Sequence, residues 1–206
     1  MNYIENAIER YPALSACRKE IALATDMLVS AYRAGGKILL LGNGGSAADA
    51  EHISGELLKG FMSKRPLTAE ERETLAPLDE VADKLQRGIP AIPIASLSSV
   101  LTAFANDVDP ELVYAQLVFA LARGEDLVIG LSTSGNSKNV VEAIKVAKAL
   151  GIKTVAMTGE SGGALGELAD VVIKAPARET YKVQEYHLPI YHAICAEAER
   201  LIFKEG

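Results

Sequence analysis

Two short loops carry the polar residues best placed for ligand chemistry. The first, Gly42-Asn43-Gly44-Gly45-Ser46, follows an apolar run ending at Leu41 and precedes a helical pattern that carries Asp49, His52 and Glu56. Glycine lets the chain turn sharply there and brings bare backbone N–H groups up to a ligand, while the next helix adds its own unpaired donors. An anion or a sugar hydroxyl fits such a loop, although a tight strand-to-helix turn without a ligand has the same spacing. The second loop, Ser132-Thr133-Ser134-Gly135-Asn136-Ser137, places four hydroxyls in six residues ahead of a helical pattern that starts at Asn139. One hydroxyl would cap a helix in any case, but four exceed what capping needs. Set at a helix N-terminus they can bind a phosphate without any positive charge.

His52 and Glu56 are spaced i, i+4 and project from one helix face. That spacing suits half of a metal site, an acid/base pair or an ordinary solvated pair, and the pair alone does not choose among them. The other histidines, His187 and His192, share the last helical pattern with Gln184, so every histidine lies on two segments. Neither loop is a nucleotide signature: the second lacks the lysine of a P-loop, and the first does not match Gly-x-Gly-x-x-Gly. No nucleotide cofactor is expected.

The formal net charge is -6, with no Lys/Arg-rich run, which gives no field for a nucleic-acid backbone. The same charge repels a phosphate at long range, so phosphate binding must come from local donors. No apolar run reaches the roughly 18 residues of a membrane span, and no secretory leader is visible at the N-terminus, so a cytoplasmic protein is expected. Cys17 and Cys195 suggest neither a disulfide framework nor a thiolate cluster and are expected to be buried free thiols.

The elements that must position these residues follow from hydropathy. Branched aliphatic runs at 37–41, 91–95, 126–131, 153–157 and 171–173 read as buried strands, and helical patterns at 47–59, 111–122, 139–150 and 164–168 lie between them. Such alternation predicts an α/β fold with a parallel sheet flanked by helices, and both loops then sit at C-terminal strand ends, facing one crevice. Long helical patterns at 8–34 and 181–203 close the two ends and carry enough apolar surface to pack an oligomer. At 206 residues one domain is expected. The charged stretch 63–88 stands outside the alternation and reads as a helical insertion of two short amphipathic helices, with Thr68 and Glu71 set as a capping box. Their apolar stripes need a surface, which the mouth of the site or a neighbouring subunit could supply.

With Asn106-Asp107 and Gln184-Glu185 followed by His192, the two loops resemble the phosphoheptose isomerases of the sugar isomerase (SIS) family, in order and across nearly the whole chain. The resemblance implies a single SIS domain with a five-stranded parallel sheet, a homotetramer with active sites at subunit interfaces, and a small phosphorylated sugar as substrate. The implied reaction converts sedoheptulose 7-phosphate to D-glycero-D-manno-heptose 7-phosphate, for nucleotide-activated heptose and surface glycans. It puts Ser132, Thr133, Ser134 and Ser137 on the phosphate with Ser46 nearby, and Asn43, Gly44, Gly45, Asn106, Asp107 and Gln184 around the sugar. Glu56 and His192 match the acid/base pair. His52, Glu56, Gln184 and His192 match the positions that hold one zinc ion per subunit in some members. An aldose-ketose exchange removes a proton beside a carbonyl and returns it one carbon along, so a carboxylate base and a nearby acid suffice, and a metal could polarise the oxygens.

The chain departs from the family pattern at Lys59-Gly60-Phe61 and at Lys182, where arginine is usual, in its longer connection at 67–88, and at Pro189, which is expected to interrupt the last helix between Gln184 and His192. Gln184 and His192 are eight residues apart, about 12 Å along an unbroken helix, too far for one ion. Either Pro189 distorts the helix enough to bring them together or they reach one site from different subunits; the second is favoured, with Glu56 and His192 then meeting across an interface, while His187, three residues after Gln184, is the competing same-chain histidine. A non-catalytic SIS regulator, or an isomerase of another ketose phosphate, is the competing function.

Overall fold

Residues 2–203 are described by the structure, a computed structural model. Asn2 caps the first helix, α1 (Tyr3–Arg10), its side chain accepting from the amides of Ile4 and Glu5. Pro12 opens a 3-10 segment, Pro12–Cys17, that divides the predicted 8–34 helix and leads into α2 (Arg18–Arg33). Then follow β1 (Ile38–Leu41), α3 (Gly45–Leu58), the short α4 (Ala69–Thr74) and α5 (Asp79–Ala82), β2 (Ala91–Pro93), α6 (Ser98–Asp107) and α7 (Val113–Leu121). The last third holds β3 (Leu127–Leu131), α8 (Lys138–Ala149), β4 (Lys153–Thr158), α9 (Leu165–Leu168), β5 (Val171–Lys174) and α10 (Thr180–Phe203).

The five strands pair in parallel in the order β2-β1-β3-β4-β5. Helices cover both faces, so β1 and β3 are buried at every position. Strand alternation divides the core in two. Ile38, Leu40, Leu127, Ile129 and Val155 pack with α2, α3 and α10. Leu39, Leu41, Val128 and Ala156 pack on the other face with α7 and α8. The strand order reverses between β1 and β3, and there the two polar loops emerge side by side at the carboxyl ends.

Three details differ from the expected elements. α6 lies where no element is expected: Leu101, Phe104 and Ala105 form a short stripe packed only half-buried against the core, and no residue of the helix is fully buried. Pro189 does not interrupt α10, which runs from Thr180 to Phe203 with the proline inside it. The insertion contains α4 and α5, with the Thr68–Glu71 capping box in place, but Ala82 is its only buried apolar residue, while Leu78, Val81 and Leu85 stay about half exposed.

Candidate active site

The glycine loop turns on Gly44, whose φ of +55° lies in the left-handed region, and α3 begins directly after it. Tyr114 of α7 donates to the Gly42 carbonyl at 2.5 Å. Asn43 and Asn139 exchange side-chain amide hydrogen bonds of 2.8 and 3.0 Å, which ties the first loop to the start of α8 across the crevice. Ser46 is buried, whereas Asn43, Gly44 and Gly45 face solvent.

In the hydroxyl loop, Ser132 is buried and shares a 2.9 Å hydrogen bond with the Ser137 hydroxyl. Gly135, φ +69°, sits so close to the Gly162 carbonyl that a Cβ would collide with it. Ser134 is exposed and its hydroxyl accepts from the Asn136 amide at 3.2 Å. Thr133 and Ser134 open onto a cavity of about 490 Å³ whose far wall is Gly159, Glu160 and Arg178. Arg178, on that far wall, is paired with Glu160 at 2.9 Å.

α3 and α10 bring together most of the remaining residues. A Cβ at Gly45 would strike the Gln184 amide, and seven residues further along α3 His52 meets His192, eight residues beyond Gln184. The two helices therefore run the same way, and each polar residue of α10 meets a different turn of α3. The His52 Nε2 stands 3.4 Å from Glu56 Oε1 and 3.4 Å from His192 Nε2, all within one chain. This corrects the expectation that Glu56 and His192 meet across subunits. The length argument holds for Gln184 and His192, but its resolution is two stations along one helix pair.

Two further contacts hold the cluster. Lys59 pairs with Glu56 Oε2 at 2.8 Å, and the Phe61 ring packs 5.5 Å from that of His192. Burial pushes the Glu56 carboxyl up, but the Lys59 hydrogen bond and charge, joined by His52 and His192, outweigh it and hold the group below its ordinary value. Burial and the neighbouring His52 push the His192 ring down, toward its neutral form.

Behind His52 stands Tyr191, its hydroxyl 3.0 Å from Nδ1 and 3.3 Å from Asp49 Oδ1. Burial and the Asp49 carboxylate push Tyr191 well above the usual phenol range, so it keeps its proton. Donating that proton to Asp49, the oxygen accepts from His52 Nδ1–H, which turns Nε2 toward Glu56 and His192. Tyr191 escaped notice in the sequence, although its spacing of seven from Gln184 puts both on one face of α10. Phe61 and Arg178 carried no comparable signal, because their contacts are with segments distant in sequence, whereas Lys59, three residues from Glu56, stood out only as a departure from the family pattern.

His187 is not part of this cluster. It is fully buried, its Nε2–H donates to the Thr158 carbonyl at 3.2 Å, and burial pushes its pKa down to about 4. Asn106 and Asp107 end α6 in solvent, hydrogen-bonded to each other at 2.8 Å and to neither loop. Cys17 and Cys195 are buried free thiols, pushed up to about 11 and about 12 by burial.

Two imidazoles and a carboxylate are the donor chemistry of a zinc site. Their present spacing is that of contact rather than ligation, and no ready cage of three such groups exists among the described residues. An ion would have to part them slightly, while Gln184 lies over Gly45, nearer the glycine loop. No helix among the described residues is long and apolar enough to cross a membrane.

The SIS domain family matches residues 90–196, and a second SIS domain family matches residues 2–87. The phosphoheptose isomerase of Geotalea daltonii is 39% identical over 186 residues, covering 90% of this chain and 86% of the relative. That of Aneurinibacillus thermoaerophilus is 36% identical, with 98% and 93% covered. The solved phosphoheptose isomerase from Neisseria gonorrhoeae superposes with a TM-score of 0.73 at 31% identity, covering 93% of both chains.

Proposed function

The chain belongs to the phosphoheptose isomerases of the SIS-domain family, and from that premise we propose that it converts sedoheptulose 7-phosphate to D-glycero-D-manno-heptose 7-phosphate. The observation that carries this reading is the convergence in one chain of His52 and Glu56, on the helix that leaves the glycine loop, with His192 of α10. The phosphate lies at the hydroxyl loop, where Thr133, Ser134 and Ser137 offer donors at the start of α8, and Ser132 holds Ser137 in place. Asn43, Gly44, Gly45 and Gln184 receive the sugar hydroxyls, with Ser46 at the loop's base.

Glu56 is the base. Held below its ordinary value, its carboxyl is ionised at neutral pH, and it takes the proton from the carbon beside the ketose carbonyl. As the enediolate forms, the proton of the neighbouring hydroxyl passes to the former carbonyl oxygen, and Glu56 returns the proton it took to the carbon one position along. His192, favoured in its neutral form, donates a hydrogen bond to the oxygen on which charge develops. His52, Glu56 and His192 have the donor set to hold one zinc ion, and Gln184 matches the family's fourth position. A bound zinc would polarise the carbonyl and hydroxyl oxygens.

The active assembly is a homotetramer in the cytoplasm with sites at subunit interfaces. Support comes from α6, which has no fully buried residue in this chain and leaves Asn106 and Asp107 outside the cluster, and from Val108 and Phe119, exposed at 65% and 64%. Turnover of a panel of ketose phosphates with product identification, with and without chelator, tests the reading. Preference for sedoheptulose 7-phosphate is expected, and turnover confined to another ketose phosphate would reassign the substrate.

A further inference from the structure

The largest fully buried side chain in the molecule is a cation, Arg65, at the base of the insertion. Its Nε donates to Glu199 Oε1 at 2.6 Å, Nη1 to the Leu57 carbonyl at 2.6 Å, and Nη2 to the Glu56 carbonyl at 3.1 Å. The guanidinium lies 4.8 Å above the Phe203 ring. Glu199 uses its remaining capacity on the amides of Phe61 and Met62, at 2.8 and 2.7 Å. Arg65 is also the one non-glycine residue with positive φ, +48°, among those described. Such a conformation persists only where the surroundings over-determine it.

A buried ion pair is a weak source of stability, since apolar residues of similar volume often do as well. What this pair supplies is geometry. The last turn of α3 ends in carbonyls without helical partners, and Arg65 takes two of them, one belonging to Glu56 itself. A cation at a helix C-terminus is also favoured by the helix dipole. Glu199 follows His192 by seven residues and so shares its face of α10. The Phe61 amide that Glu199 holds belongs to the residue whose ring packs against His192. One ion pair thus grips the backbone of the base, the helix of its partner and the ring beside that partner.

We propose that Arg65 and Glu199 are positioning residues, which set the distance between Glu56 and His192 without touching substrate. This rests on the isomerase reading above. Arg65 joins the insertion to the site as well, because its carbonyl accepts from the Arg87 amide at 2.9 Å and closes the base of that segment.

The test uses Arg65→Lys and Glu199→Gln in the full chain, each keeping size and some of the hydrogen bonding. In folded variants, kcat on sedoheptulose 7-phosphate should fall about tenfold to a hundredfold, because displacements near 1 Å carry costs of that order. KM and inhibition by inorganic phosphate should stay within about twofold, since the hydroxyl loop lies on another strand. Arg65→Met should be worse than Arg65→Lys, and crystal structures should show the Glu56 and His192 side chains moved apart. A folded Glu199→Gln protein with wild-type kcat, or a loss matched by the unfolded fraction, would overturn the proposal. If the wild-type chain does not turn over the sugar, the isomerase reading falls. The variant crystal structures still decide positioning, and unmoved Glu56 and His192 would defeat it.

Discussion

In the loop after β3 the polar groups are neutral and already satisfied by one another, Ser132 by Ser137 and Ser134 by the Asn136 amide. Between α3 and α10 the polar groups are ionisable and face one another at 3.4 Å, with His52 drawn toward both Glu56 and His192. The loop is organised before a ligand arrives and gains by exchanging weak internal bonds for charge-assisted ones. The cluster holds groups whose charges depend on each other, which suits proton transfer. Binding and turnover should therefore respond to different substitutions.

Glu56→Gln tests that division with the largest expected effect. It keeps the side chain's size and removes its basicity, so kcat should fall by about 10² to 10⁴, the usual contribution of a positioned base, with KM little changed. A large rise in KM with kcat preserved would move Glu56 from proton transfer to binding. The complementary experiment replaces Ser134 and Ser137 with alanine. Each lost hydrogen bond to a charged group is worth about 1.5 to 3 kcal/mol, so affinity should weaken while kcat at saturation survives. Unchanged affinity in the double variant would remove the phosphate from this loop.

The two regions were not equally legible in the sequence. The loops announced themselves because glycine and hydroxyl residues at strand ends have few other uses, and the strands did so because burial on both faces demands unbroken apolar runs such as Ile38–Leu41. The cluster was legible only in part. Spacing put His52 and Glu56 on one face, but one helix read alone cannot say which of its faces meets the sheet. His187 and His192 therefore stayed in competition until α10 was seen against both β4 and α3. α6 and the Arg65–Glu199 pair were not read from the sequence. The helix carries only a short stripe that stays half-buried in this chain, and the pair joins residues 134 positions apart.

His187 sharpens the contrast, since the same residue type five positions from His192 is dry. Its pKa is depressed in the folded state to about 4 from an ordinary 6.5. The unfolded chain binds the proton first, so stability is intact above pH 6.5 and declines as the pH falls toward 4. The loss should reach about 2 kcal/mol at pH 5 and about 3 kcal/mol in full. Urea denaturation of His187→Leu should show a shallower decline than wild type between pH 7 and 5. Identical pH dependence in the two proteins would place the acid sensitivity elsewhere.

The smallest expected effect belongs to the tip of the insertion, which is part of neither region. Thr68 accepts from the Glu71 amide at 3.2 Å, and the Glu71 carboxylate accepts from the Thr68 amide at 2.7 Å, closing the box that starts α4. Arg72 pairs with Asp83 and so ties α4 to the end of α5. Below this tip, the Arg87 amide and the buried Arg65 form a separate fastening against α3. Thr68→Ala opens the box at a cost of about 1 kcal/mol, which is felt where the helix is local and exposed. Amide exchange at residues 69–75 should accelerate about fivefold, while kcat and KM remain those of wild type. If turnover fell with the cap, the tip would be coupled to Glu56 through the insertion's base, and the separation drawn between the site and this appendage would fail.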